Sequence, residues 1–216
     1  MKKSLYILLF ILITLTFVGC GGSTSPDPKP WLKVKVSLTE TDTFIAWGFL
    51  HDTDGSDLNA NITVNGTPVS AIVKTIPGLV GSTVNIIASH PRIGTIQRTY
   101  TVPQTATDLH TDTDTDLAKW LSRTDKTLTL YWTGGDGDYY NIGVNGTITS
   151  GPNHPWRSSP ATISESESNS FLRDNPAELT IFVQGVKEEN LSNLGLSFSS
   201  EFTVEGLKST AITYSP

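Results

Sequence analysis

Cysteine is almost absent from this chain of 216 residues, with Cys20 its only representative. A single thiol excludes a disulfide framework and a cysteine-built zinc site. Charge is scarce too, at 17% of residues, which is too little for a coiled coil. The 15 Lys and Arg against 21 Asp and Glu leave a formal net charge of −6, so the basic face of a nucleic-acid binder is missing. Histidine occurs at His51, His90, His110 and His154, with no i, i+2 or i, i+4 pair among them. HExxH, GxSxG, P-loop and GxGxxG motifs are all absent. The 37% of apolar residues is nevertheless enough for a packed core and too much for a disordered chain.

Lys2 and Lys3 make a short basic start, followed by an apolar stretch from Leu5 to Val18. That stretch is shorter than the roughly 18–20 residues of a membrane-spanning helix, and reads as the core of an export signal. It ends at Phe17-Val18-Gly19-Cys20. A small residue directly before a cysteine, at the end of such a core, resembles the lipobox of bacterial lipoproteins. The resemblance implies that residues 1–19 are a signal peptide cleaved before Cys20. It implies diacylglycerol on the Cys20 sulfur and an acyl group on its new amino terminus. An exported protein, lipid-anchored to the bacterial cell envelope, follows. With Gly21 after the cysteine, the anchor would sit in the outer membrane where the host has one. Loss of Lys2 and Lys3 takes the formal charge from −6 to −8. Residues 20–30 then form the lipidated cysteine and a flexible tether, with small residues ahead of three prolines.

Beyond Pro30 the apolar period becomes two. Leu32, Val34, Val36 and Leu38 alternate with Lys33, Lys35 and Ser37, which predicts a strand with one buried face. Short apolar runs follow at 44–49, 62–64, 84–88 and 100–102, separated by turns such as Asp52-Thr53-Asp54-Gly55. No stretch of the mature chain sustains a helical period. The pattern predicts an all-β protein of sandwich or barrel type.

A repeat divides it. Asn61-Ile62-Thr63-Val64-Asn65-Gly66-Thr67 recurs as Asn141-Ile142-Gly143-Val144-Asn145-Gly146-Thr147, each preceded by a strand bearing a tryptophan, Trp47 or Trp132. In each, Asn-Gly suits a type I′ hairpin turn. Repetition at about 80 residues predicts two similar domains. In the second, Leu128-x-Leu130-x-Trp132 and Tyr139-Tyr140-x-Ile142-x-Val144 resemble strands B and C of a fibronectin type III domain. Leu179-x-Ile181-x-Val183-Gln184-Gly185-Val186 and residues 199–204 resemble its strands F and G. The first copy resembles a looser immunoglobulin-like pattern. The expected organisation is an immunoglobulin-like β-sandwich over 31–104, an acidic linker over 105–116, and a fibronectin type III-like β-sandwich over 117–216. Trp47 and Trp132, both on apolar strands, are expected in the cores.

Two segments invite a ligand. Asp112, Asp114 and Asp116 alternate with threonine, and carboxylates at this spacing suit a hard cation such as calcium. The competing reading is a solvated, self-repelling spacer with no cofactor. Asn153, His154, Trp156 and Arg157 lie in a proline-bearing loop, where an indole among polar groups suits a sugar ring. Otherwise Trp156 caps the open end of the sandwich. The expected function is non-catalytic: two modules held at the membrane by the lipid on Cys20, for protein interaction, adhesion or spacing. The alternatives are carbohydrate binding through the Trp156 loop, and an accessory or weakly active envelope hydrolase. An envelope protein or a glycan is the expected partner, and nucleic acid is not.

Overall fold

A computed structural model describes residues 29–111, 127–144, 147–148, 158–163, 179–209 and 212–214. The described residues form fifteen strands and one 3-10 turn (Ser192–Leu194), without an α-helix. The protein is all-β, with several sheets whose layering is compatible with a β-sandwich.

Strand β1 (Trp31–Leu38) buries Leu32, Val34, Val36 and Leu38, as its alternation requires. It pairs antiparallel with β2 (Thr43–His51), which pairs with β5 (Lys74–Pro77). A second sheet has the order β4 (Thr67–Val69), β3 (Asn61–Val64), β6 (Thr83–His90), β7 (Gly94–Thr101). The inward side chains of the two sheets, among them Val34, Phe44, Ile62 and Ile86, share one core. Between β3 and β4, Asn65 and Gly66 have φ of 49° and 77°, the two left-handed positions of a type I′ turn.

The same plan returns. Strands β8 (Ala106–His110), β9 (Leu128–Gly134) and β12 (Ala161–Ile163) form a sheet of order β12-β9-β8, matching β5-β2-β1. Opposite, β11 (Thr147–Ile148), β10 (Tyr139–Val144), β13 (Leu179–Asn190) and β15 (Ile212–Tyr214) match β4-β3-β6-β7. Val144 pairs with Thr147 as Val64 pairs with Thr67, so the repeated motif makes the same hairpin twice. Leu128, Leu130, Trp132, Ile142, Ile163 and Ile181 lie in the second core.

The two units are joined by an overlong hairpin. Strand β13 runs for 12 residues, of which its own unit pairs only Leu179–Val186. From Gln184 to Asn190, with a register shift between Gln184 and Val186, it pairs with β14 (Glu201–Lys208), and β14 lies parallel to β1 from Lys33↔Glu201 to Ser37↔Glu205. One sheet therefore continues across both units in the order β11-β10-β13-β14-β1-β2-β5. Phe202 and Val204 from β14, with Leu191 and Leu196 from the hairpin tip, are buried in the first core. Burying four such side chains stabilises that core by roughly 1.5–3 kcal/mol each. Glu189 closes the open side of the first unit: Arg98 Nε donates to both of its oxygens, at 2.8 and 3.0 Å, and Tyr100 Oη donates at 2.8 Å.

Three placements differ from the sequence reading. Ala106–His110, where the acidic linker was expected, is strand β8, and Ala106 is buried in the second core. The direct connection is only Pro103-Gln104-Thr105, and Pro103 lies on Gly206 and Gly185 of the hairpin. A Cβ at Gly206 would come 2.6 Å from the Pro103 carbonyl oxygen. The C-terminal segment, expected wholly in the second domain, supplies part of the first core. Trp47 is the third: it is half-buried on the outer face, because β2 turns Phe44, Ala46, Gly48 and Leu50 inward.

Candidate ligand-binding face

The outer face of the long sheet is set by strand parity. On β1 it carries Trp31, Lys33, Lys35 and Ser37; on β2, Ile45, Trp47, Phe49 and His51. Cross-strand register puts Trp31 beside His51, Lys33 beside Phe49, and Lys35 beside Trp47. The rings form a continuous row. Trp47 stacks on Phe49 at 5.7 Å, Phe49 on His51 at 4.4 Å, and Trp31 meets both Phe49 and His51 edge-on at 4.9 Å. Such contacts hold half-exposed rings in fixed orientations.

Beside the rings lies a band of paired charges. Lys33 Nζ is 2.9 Å from Glu201, and Lys35 Nζ is 2.5 Å from Glu205. Glu205 is buried, and its second oxygen accepts from Ser37 Oγ at 2.6 Å, so both oxygens are satisfied. Across β14, Tyr139 Oη donates to Glu188 at 2.7 Å. Burial, then that carboxylate, push the Tyr139 phenol far above its ordinary pKa. Asp138 holds the Glu188 backbone N–H at 3.0 Å.

These groups enclose a groove of about 280 Å³ that crosses from one unit to the other. Trp47 on β2 stands at one side and Tyr139 on β10 at the other. Lys33, Lys35, Glu201 and Thr203 make the floor, with Asn141 and Glu188 near Tyr139. The arrangement offers aromatic walls and a floor of adjacent donors and acceptors, chemistry suited to a hydroxyl-rich ligand.

Every site residue expected from sequence falls outside the described residues: Cys20, the Asp112, Asp114 and Asp116 set, and the loop of Asn153, His154, Trp156 and Arg157. Among the described residues, no three His, Cys, Asp or Glu side chains cluster as metal ligands. The Asp52–Asp57 turn bonds to itself, Asp54 accepting from Ser56 N and Oγ at 2.9 and 2.6 Å. Asp52 pairs with Arg92. The groove was missed because its residues come from five strands, β1, β2, β10, β13 and β14, spread over most of the described sequence. Its one local signal was Lys33-x-Lys35, read only as a wet strand face. No family model matches the chain, and no curated protein matches it.

Proposed function

We propose that this is an exported, lipid-anchored, non-catalytic protein of the bacterial cell envelope. In this reading it carries tandem immunoglobulin-like, fibronectin type III-like sandwiches and presents a binding face for adhesion, protein interaction or spacing. The observation that carries it is the sheet that continues from β5 to β11, which joins the two units along one face. The strand order, three strands facing four in each unit, supports the family reading. The lipobox at 17–20 supports the anchor. Each carboxylate of the groove floor is engaged by a lysine, which suits holding a ligand more than passing a proton. The anchor is tested by Cys20→Ser, which should leave a larger precursor without palmitate label; undiminished labelling would remove it.

The groove favours a glycan among the possible partners. Adjacent hydroxyls of a sugar each donate and accept, and a Lys–Glu pair offers one acceptor and one donor side by side. A glycan array probed with the mature chain should show binding that Trp47→Ala and Tyr139→Phe weaken. Binding untouched by both would move the site elsewhere, and an empty array would leave protein interaction as the function.

A further inference from the structure

The hairpin tip between β13 and β14, residues 191–200, reads LSNLGLSFSS and holds no charged residue in an otherwise acidic chain. Leu191 and Leu196 point into the first core, but Phe198 is 81% exposed and Leu194 42%. Phe198 is the most exposed of the large apolar side chains described. The tip is held in place: Asn190 Nδ2 donates to the Phe198 carbonyl oxygen at 2.6 Å, and Leu191 N to Ser200 O at 2.9 Å.

Its position gives the exposed ring a meaning. Ser197 N donates to the Pro30 carbonyl oxygen at 2.9 Å, and Leu32 N to Ser200 Oγ at 3.0 Å. The tip therefore sits where the tether enters the fold. From Cys20 to Pro30 the chain can span at most roughly 35 Å, at about 3.5 Å per residue. Trp31, the first strand residue, stands at the same pole. The second unit begins from the opposite pole, after Val102.

We propose that the tip of residues 191–200 is a membrane contact, with Phe198 and Leu194 entering the lipid interface while the acyl chains on Cys20 hold the molecule there. This rests on the lipid-anchor reading above. Phe and Leu side chains bury at the headgroup–acyl boundary of surface-bound segments. Anionic lipid repels an acidic protein, so an uncharged tip is the part able to approach it. The second unit then points away from the membrane.

The test exploits the lone cysteine. In the acylated protein the Cys20 sulfur is consumed, so Phe198→Cys provides the one free thiol for an environment-sensitive nitrobenzoxadiazole probe. Leu79→Cys, 57% exposed and at the far pole beside the end of β5, is the control. Acylated protein is reconstituted into phosphatidylethanolamine–phosphatidylglycerol vesicles, with palmitate label and flotation measured separately. Expected is a severalfold rise and blue shift of emission at position 198, with no change at 79. Floating, palmitate-labelled protein with unchanged emission at 198 overturns the contact and leaves the anchor standing. Protein that neither floats nor carries palmitate removes both. A rise at 198 without vesicles, growing with protein concentration, would assign the tip to a second copy instead.

Discussion

The first unit completes its core with side chains lent by the second, whereas the described core of the second uses only its own strands, from Ala106 to Val183. The strand plan is the same in both, so the asymmetry comes from one extension. Had β13 stopped after serving its own unit, β1 would be an open sheet edge and Phe202 would have nothing to bury against. Overextending one hairpin both covers that edge and joins the modules. Repeated modules can thus share a fold without sharing independence.

The largest expected effect follows directly. Removing residues 179–216 takes from the first unit Leu191, Leu196, Phe202, Val204 and the partner strand of β1. The lost burial, roughly 1.5–3 kcal/mol per side chain, rivals the whole stability of about 5–15 kcal/mol typical of a domain. A fragment of residues 31–106 should therefore give a collapsed amide spectrum, and a well-dispersed one would show the first unit to be self-sufficient. Phe202→Ala in the full chain is the milder form, costing about 3–5 kcal/mol in denaturant unfolding followed from the first unit.

Next come the two tryptophans that precede the repeated motif. Trp132 is 5% exposed and tilted against Tyr140 in the second core, while Trp47 lies on the outer face. Trp132→Ala should cost about 3–5 kcal/mol. Trp47→Ala should cost about 0.5–1.5 kcal/mol, the worth of its stacking on Phe49. Equal losses in urea titrations would mean that both rings are core.

The same pair shows what the sequence could tell. In β9, threonine and tyrosine occupy alternate positions, so Leu128, Leu130 and Trp132 were legible as the inward set. In β2 both parities are apolar: Phe44, Ala46 and Leu50 on one, Ile45, Trp47 and Phe49 on the other. Period two then cannot choose, and the choice falls to Gly48, whose Cβ would come 3.0 Å from Val34. All-β class, repeat and hairpin register were readable because they are local. The β13–β14 extension and the groove between Trp47 and Tyr139 depend on strands brought together from opposite parts of the chain.

A smaller effect tests the clasp on the open side of the first unit. Arg98 and Glu189 are each about one-third exposed, so solvent screens their attraction. A double-mutant cycle of Arg98→Ala and Glu189→Ala should give a coupling of about 1 kcal/mol, decreasing with added salt. No coupling would leave β14 and the buried leucines as the whole attachment. Tyr100 adds a signature, since burial first and then Glu189 raise its phenol far above the ordinary value. Its neutral form is favoured in the fold, so stability should be intact below about pH 10 and decline above it.

The smallest effect lies in the acidic turns, where the units differ again. In the second unit Asp136 accepts from Gln104 N at 2.6 Å and Asp138 from Glu188 N at 3.0 Å, so the turn ties the connection and the hairpin to β10. In the first, Asp52 reaches Arg92 while Asp54 accepts hydrogen bonds from Ser56 of its own turn, and the Ser56 hydroxyl, then the Ser56 N–H, hold its carboxyl below the ordinary value. A lowered carboxyl pKa stabilises the fold above about pH 4, and that contribution is lost as pH falls through the lowered value. Because Asp54 is fully exposed, thermal unfolding at neutral pH should hardly notice Ser56→Ala. The substitution should instead move the Asp54 carboxyl titration, followed by carbon chemical shift, upward toward the ordinary value. An unmoved curve would show that the backbone N–H alone sets it. Asp138→Asn, by contrast, should perturb the amide resonances of Lys187 and Glu188, because that carboxylate reaches across to the hairpin that holds the two units together.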